Sequence, residues 1–309
     1  MAIEIAPSPL QILKSEWLEK QGIALYIKRD DLLHPQVQGN KWRKLKYNLI
    51  QAQEEGHDTL ITFGGPFSNH IYATAAAAKV LGLKCIGVIR GDKELPLTPT
   101  LQFAVKHGMQ LHFADRAEYK TKDSVEYLNS LTGQYGEYYY IPGGGTNLLA
   151  LTGVSEIIDE LHGDFDYLCT GCGTGGTIAG LVAGLKGRAQ VLGFSALKGN
   201  DTLTPYVTQL ITEYCDEEYN NFSINFNYHF GGYAKIVPQL IDFIQKFKEV
   251  YGVQLEPVYT GKMMYGIFDL IEQGYFKKGS NIIALHTGGL QGLSGYPDYF
   301  PEFESGLPD

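Results

Sequence analysis

Asp166-Tyr167-Leu168-Cys169-Thr170-Gly171-Cys172-Gly173-Thr174-Gly175-Gly176-Thr177 runs from a short β-rich segment through four glycines into the apolar stretch Ile178 to Leu185. A tight strand-to-helix turn explains one or two glycines, whereas a backbone that must approach a ligand closely explains all four. Thr174 and Thr177 add hydroxyls at a helix N-terminus, where free N–H groups and the positive dipole end suit a phosphate. Gly171, Gly173 and Gly176 also satisfy G-x-G-x-x-G, but a dinucleotide site needs an acid at the end of the next strand for the ribose hydroxyls. That strand, Gln190 to Ser195, ends without one, and no G-x-x-x-x-G-K-[ST] is present. The loop therefore reads as a holder for a lone phosphate monoester.

The same strand-to-helix order extends along the chain. Leu25–Arg29, Thr59–Phe63, Lys84–Arg90, Gln110–Phe113, Tyr138–Ile141 and Asn281–Leu285 read as strands. Lys41–Glu55, Ile71–Leu81, Pro99–His107, Ala117–Leu131, Thr152–Leu161 and Val237–Tyr251 carry helical periodicity. Strands alternating with helices indicate parallel βαβ units and an α/β fold. At 309 residues, with no repeat and no Pro/Gly/Ser-rich linker, the chain suits one large or two closely packed domains.

A net charge of −9 argues against a nucleic-acid or anionic-membrane surface, while leaving room for a small anionic ligand held by local donors. Met1 to Leu13 lacks a basic leader and a continuous apolar core, and Ile71 to Leu83 is too short to span a bilayer. A soluble cytoplasmic protein is expected. Cys85, Cys169, Cys172 and Cys215 do not make a disulfide framework in a chain of this size. The single C-x-x-C, Cys169 to Cys172, has no second pair or nearby His at zinc-site spacing, so its cysteines read as small residues beside the glycine loop.

In Gln38-Gly39-Asn40-Lys41-Trp42-Arg43-Lys44 a lysine stands just after a Gly-Asn breaker, where a helix begins. It is either part of a solvated basic face or a partly buried amine, near other cations, that loses its proton readily and can form an imine. Gly64-Gly65-Pro66-Phe67-Ser68-Asn69-His70 enters an alanine-rich helix. Ser68 and Asn69 are good caps, and the same helix start suits a carboxylate. His286 on its own reads as a core histidine, and each of the 21 tyrosines as a packing residue.

Taken in order, Lys41 opening its helix, the Ser68-Asn69-His70 turn, the glycine-threonine loop and the late His286-Thr287-Gly288-Gly289 resemble the pyridoxal-phosphate enzymes of the tryptophan-synthase-β fold type. Within them the chain is similar to the 1-aminocyclopropane-1-carboxylate deaminase and D-cysteine desulfhydrase family, from about Ile27 to Gly292. The resemblance implies two open, twisted, mostly parallel sheets flanked by helices, with the active site in the interdomain cleft. Residues 1–45 and 156–309 would form the larger cofactor domain and 46–155 the smaller one. A homodimer would be the usual assembly, and a small amino acid the substrate.

Carried over by position, the cofactor is pyridoxal 5'-phosphate and Lys41 is its imine lysine and the general base. Lys44 would add charge near the phosphate, and Cys172, Gly173, Thr174, Gly175, Gly176 and Thr177 would hold it. Ser68, Asn69 and His70 would line the substrate carboxylate, with Asn69 also near the cofactor's phenolic oxygen. Tyr233 and Tyr259 would face the substrate, and with Lys41 and Ser68 they complete the catalytic set.

Deaminases of the family carry Glu after the Pro-Val-Tyr tyrosine and Leu in the late His-Leu-Gly-Gly, whereas desulfhydrases carry small hydroxyl residues. Here these are Thr260 and Thr287. Both count against opening of a cyclopropane ring and favour loss of sulfide from D-cysteine or a related β-substituted D-amino acid, because a hydroxyl at the pyridine nitrogen makes a weaker electron sink than a carboxylate. Other eliminations and replacements on this fold stay open, since no local motif encodes the handedness of the substrate. Lys41 counts against a non-catalytic binding protein, and the missing ribose acid against a nicotinamide enzyme.

Overall fold

A computed structural model describes residues 5–303. Met1 to Glu4, part of the stretch read above for a leader, lie outside them. β1 (Leu10–Leu13), α1 (Glu16–Gln21) and β2 (Ala24–Lys28) lead to α2 (Asn40–Glu54). β3 (Thr59–Gly64), α3 (Asn69–Leu81), β4 (Lys84–Arg90), α4 (Pro99–Lys106), β5 (Met109–Ala114), α5 (Arg116–Lys120), α6 (Val125–Tyr135) and β6 (Tyr139–Ile141) follow. Next come α7 (Leu148–Ser155), β7 (Tyr167–Cys172), α8 (Gly176–Leu185), β8 (Gln190–Ser195), α9 (Leu203–Cys215) and β9 (Phe222–Asn225). The described chain closes through α10 (Pro238–Tyr251), α11 (Thr260–Glu272) and β10 (Asn281–Leu285).

The strands form a six-stranded sheet in the order β1-β2-β10-β7-β8-β9 and a four-stranded sheet in the order β5-β4-β3-β6. Every pairing is parallel except β1 with β2. Strand β3 shows why helices flank both faces: all six of its residues are buried, as a parallel strand covered on both sides requires. Leu60 joins a core with Leu45 and Leu49 of α2 and Ile71 of α3. Ile61 and Phe63, on the opposite face, pack with Tyr127 and Leu131 of α6. Each such fully buried side chain contributes about 1.5–3 kcal/mol.

Two expected helices are redrawn. The stretch Ala117–Leu131 is two helices, because Asp115 caps α5, the chain turns at Thr121, and the Ser124 side chain caps α6 by accepting from Tyr127 N. The stretch Thr152–Leu161 is entered earlier, where the Asn147 side chain accepts from Ala150 N, and α7 ends at Ser155 ahead of a 3-10 turn at Ile158–Glu160.

Parallel pairing brings strand ends together, and this builds the cleft. β2, β10 and β7 are neighbours, with Leu285 opposite Lys28 and Ala284 opposite Cys169. The segments that leave their C-terminal ends therefore emerge side by side: the one carrying Lys41, the one carrying Thr287, and the glycine loop. In the four-stranded sheet β3 and β6 are likewise adjacent and deliver Ser68–His70 and Gly143–Thr146.

Candidate active site

A cleft of about 640 Å³, open at its mouth, lies among these strand ends and is lined by Lys41, Lys44, Ser68, Asn69, His70, Gly173, Thr174, Tyr233, Tyr259 and Thr287, among others. Cys172, Gly175 and Thr177 also line it. Gly176 and Thr260 do not, so thirteen of the fifteen expected site residues meet in one hollow. Gly176 begins α8 immediately behind the loop, where a Cβ would press on Thr146 and on Lys44 Cε.

Lys41 reaches the cleft through a backbone crossing that only glycine permits. Gly39 has φ +61°, and a Cβ there would sit 1.9 Å from the Thr287 carbonyl oxygen, which accepts from Asn40 N at 3.3 Å. The Asn40 amide then donates to Thr177 Oγ1 at 2.8 Å, tying the start of α2 to the glycine loop. Burial lowers the Lys41 pKa to about 8, so a substantial fraction is free amine just above neutrality.

Lys44, one turn along the helix, is 1% exposed. Its ammonium donates to Gly144 O at 2.6 Å, Thr146 Oγ1 at 2.7 Å and Thr174 Oγ1 at 3.4 Å. Burial, and then the charge of Lys41, holds its pKa well below the ordinary lysine range. Every one of these acceptors is neutral.

The start of α3 forms the opposite wall. Ser68 Oγ caps the helix by accepting from Ile71 N at 3.3 Å. Among the described residues the N–H groups of Asn69 and His70 have no partner, which leaves two donors at a positive helix end. The His70 ring differs from the expectation. Thr62 Oγ1 donates to Ile141 O at 2.9 Å and lies 2.7 Å from His70 Nε2, so Nε2 carries the ring proton and the buried Nδ1 is a lone-pair acceptor without a partner. Burial, and the charges of Lys41 and Lys44, hold its pKa well below 6.5. A neutral acceptor does not bind a carboxylate, so what His70 offers an anion is its backbone N–H. The Asn69 side-chain oxygen accepts from the Gln291 amide, whose own oxygen accepts from Thr100 Oγ1 at 2.6 Å.

Tyr233 and Tyr259 meet edge to face, ring centres 6.1 Å apart. Tyr259 precedes α11, and its neighbour Thr260 is fully buried behind it. Thr260 Oγ1 accepts from Glu256 N at 3.0 Å and donates back to Glu256, so the structure places this hydroxyl on Glu256 rather than on the cleft. Thr287 is the one of the two threonines that lines it. His286 is fully buried, with Nε2 2.7 Å from Gln254 O and Nδ1 accepting from Gly288 N, as a core histidine would be. Cys169 and Cys172 are buried free thiols, and burial raises the pKa of both.

Sequence reasoning missed Asn40, Gly144, Thr146, Glu256 and Gln291. Asn40 stands beside Lys41, and adjacency was its only signal; Gly144 and Thr146 follow the expected strand Tyr138–Ile141 and carry no motif of their own. Glu256 and Gln291 act through other residues and carry no motif.

The residues fit pyridoxal phosphate. Among the described residues the cleft lining contains two lysines and no carboxylate, and Lys44 is a buried amine whose partners are all neutral oxygens, so an anion placed beside it would favour its charged form. A phosphate beside Thr174, Thr177 and the start of α8 supplies the missing negative charge. Lys41 adds an amine with a pKa lowered to about 8, and Thr287 a hydroxyl on the same lining.

The comparisons agree with this geometry. Residues 2–288 match the family described as pyridoxal-phosphate dependent enzyme. A Pyrococcus horikoshii protein, whose name gives 1-aminocyclopropane-1-carboxylate deaminase provisionally, is 34% identical over 308 residues, covering 96% of this chain and 94% of its own. The mitochondrial bifunctional D-cysteine desulfhydrase/1-aminocyclopropane-1-carboxylate deaminase of Arabidopsis thaliana is 32% identical, covering 88% of this chain and 74% of its own. A crystal structure of an ACC deaminase homologue superposes with a TM-score of 0.84 at 32% identity, over 96% of this chain and 94% of that one. A lysine-bearing cleft at the ends of two parallel sheets, and a family match over almost the whole chain, make this protein a pyridoxal-phosphate-dependent enzyme of the 1-aminocyclopropane-1-carboxylate deaminase/D-cysteine desulfhydrase family.

Proposed function

We propose that this enzyme eliminates sulfide from D-cysteine, or from a related β-substituted D-amino acid. D-cysteine and water give pyruvate, ammonia and hydrogen sulfide. The observation that carries the reading is the lining of the cleft, which offers the hydroxyl of Thr287 and, among the described residues, no carboxylate. Bound there, pyridoxal phosphate supplies the electron sink that makes the substrate's α-proton removable.

The chain's own groups do the rest. Lys44, Thr174, Thr177 and the start of α8 hold the phosphate. The free N–H groups of Asn69 and His70 take the substrate carboxylate, and the Asn69 side chain would help hold the cofactor. Lys41 Nζ receives the substrate's α-proton as general base; a pKa of about 8 keeps part of it unprotonated near neutral pH. Tyr233 and Tyr259 cover the substrate and limit water around the β-sulfur, which leaves with its electron pair.

The name of the Pyrococcus horikoshii relative favours a second reading, ring-opening of 1-aminocyclopropane-1-carboxylate, while that of the Arabidopsis thaliana relative gives both activities. Release of ammonia, pyruvate and sulfide by the cofactor-loaded enzyme given D-cysteine, with L-cysteine and the cyclopropane amino acid alongside, separates the two. Pyruvate and sulfide from D-cysteine alone support elimination. Turnover of the cyclopropane substrate, which yields no pyruvate, or of L-cysteine in preference, overturns it.

A further inference from the structure

Lys262, on α11, is 1% exposed and takes no part in the chemistry above. Its ammonium donates to two backbone carbonyls, His229 O at 2.8 Å and Gly232 O at 2.8 Å. Both partners are neutral, so the chain keeps a buried cation for the sake of two carbonyls on one turn. Burial lowers its pKa to about 8 against the pull of Glu256, which leaves it an ammonium at neutral pH.

That turn is one the backbone does not adopt unaided. Phe230 (φ +51°), Gly231 (+96°), Gly232 (+122°) and Ala234 (+56°) all have left-handed φ values, two of them in residues with a side chain. Such conformations persist only where the surroundings over-determine them. The surroundings here are Lys262, Tyr296 Oη donating to Ala234 O at 3.0 Å, and the turn's own bonds from Gly231 N to His229 Nδ1 and from Gly232 N to His229 O. The residue between Gly232 and Ala234 is Tyr233, 44% exposed and on the cleft lining.

We propose that Lys262 is a positioning residue that clamps the turn 229–234 and so holds Tyr233 over the substrate. The proposal rests on the reading of Tyr233 as substrate-facing. It also accounts for why Tyr233 and Tyr259 stay in register: Lys262 is three residues beyond Tyr259, so a single helix start carries one tyrosine and grips the turn that carries the other.

The test is amide hydrogen exchange on the cofactor-loaded enzyme without substrate, comparing wild type, Lys262→Met and Lys262→Arg, with kinetics on D-cysteine in parallel. The amides of Gly231, Gly232 and Lys235 are expected to exchange at least ten-fold faster in Lys262→Met, with the glycine loop 173–177 and the visible absorbance of the cofactor unchanged. Lys262→Arg, which can still donate to both carbonyls, is expected to restore protection to within about three-fold. KM for D-cysteine should rise ten-fold or more in Lys262→Met, and adding Tyr233→Phe should deepen the loss by less than three-fold. Unchanged exchange at the three amides overturns the clamp whatever the substrate proves to be. Faster exchange spread over the whole chain, not rescued by Lys262→Arg, overturns it in favour of a merely structural lysine. If D-cysteine is not turned over, the exchange data alone decide the clamp, and the substrate reading fails separately.

Discussion

We propose that Lys41 and Thr287, both on the cleft lining, carry its chemistry, and each makes a prediction of its own. The Lys41 pKa of about 8 is lower than the 10.5 of a solvated lysine, so the folded protein binds fewer protons than the unfolded chain between those values. Stability from this group therefore rises with pH across that window, and its cost is fully present below pH 8. The same shift predicts that capture of pyridoxal phosphate by the apoprotein, followed by visible absorbance, speeds about ten-fold per pH unit below 8 and levels off above it. Lys41→Arg should show no such band. The two threonines part company. Thr260→Val should leave the cofactor band unchanged and cost about 1–3 kcal/mol in urea unfolding, because Glu256 N loses its acceptor. Thr287→Leu should alter turnover more than stability. Sequence placed both threonines at the cofactor because each follows or sits in a site motif. It could not show that consecutive residues at a helix start leave its axis about 100° apart, so that Tyr259 faces the cleft while Thr260 turns to Glu256.

The decisive elements are the helix starts. α11 has no Ser, Thr, Asp or Asn cap of its own; the Glu256 carboxylate accepts from Val258 N at 2.7 Å, Tyr259 N at 2.8 Å and Thr260 N at 2.6 Å. Glu256→Ala is expected to cost about 2 kcal/mol in unfolding free energy and to raise KM through Tyr259. This helix was not legible beforehand, since its cap lies four residues upstream and Gly261 interrupts its first turn. β1, α1, α9 and β9 were likewise passed over, being short, near an edge or without a strong cap. The glycine loop into α8 was legible because backbone that must approach a ligand leaves its mark in the sequence itself. Beside that loop, Lys44 on α2, whose partners are all neutral oxygens, predicts that inorganic phosphate stabilises the apoprotein by about 2.7 kcal/mol at a hundred times its Kd. Thermal unfolding with and without phosphate reads this, and Lys44→Met should abolish the increment.

At the scale of the molecule, the parallel order of two sheets was legible from the alternation of strands and helices, and it alone suffices to gather Lys41, Thr287 and the glycine loop at adjacent strand ends. What joins the sheets was not. α2 sends Trp42, Leu45 and Leu49 into the core of the four-stranded sheet, and α7 packs against both α2 and α8. We propose the division into 1–45 with 156–309 and 46–155, with α2 continuous across the first boundary, and a homodimer as the working assembly. Among the described residues no helix is long and apolar enough to cross a membrane. The central claim, that Lys41 in this cleft takes the α-proton of a D-amino acid, is tested most directly without any leaving group. Wild-type enzyme is incubated with D-alanine or L-alanine in heavy water, and loss of the α-proton signal is followed by NMR. Exchange of D-alanine, with none for L-alanine and none by Lys41→Ala, is the predicted result; exchange of L-alanine alone, or undiminished exchange of D-alanine by Lys41→Ala, would contradict it.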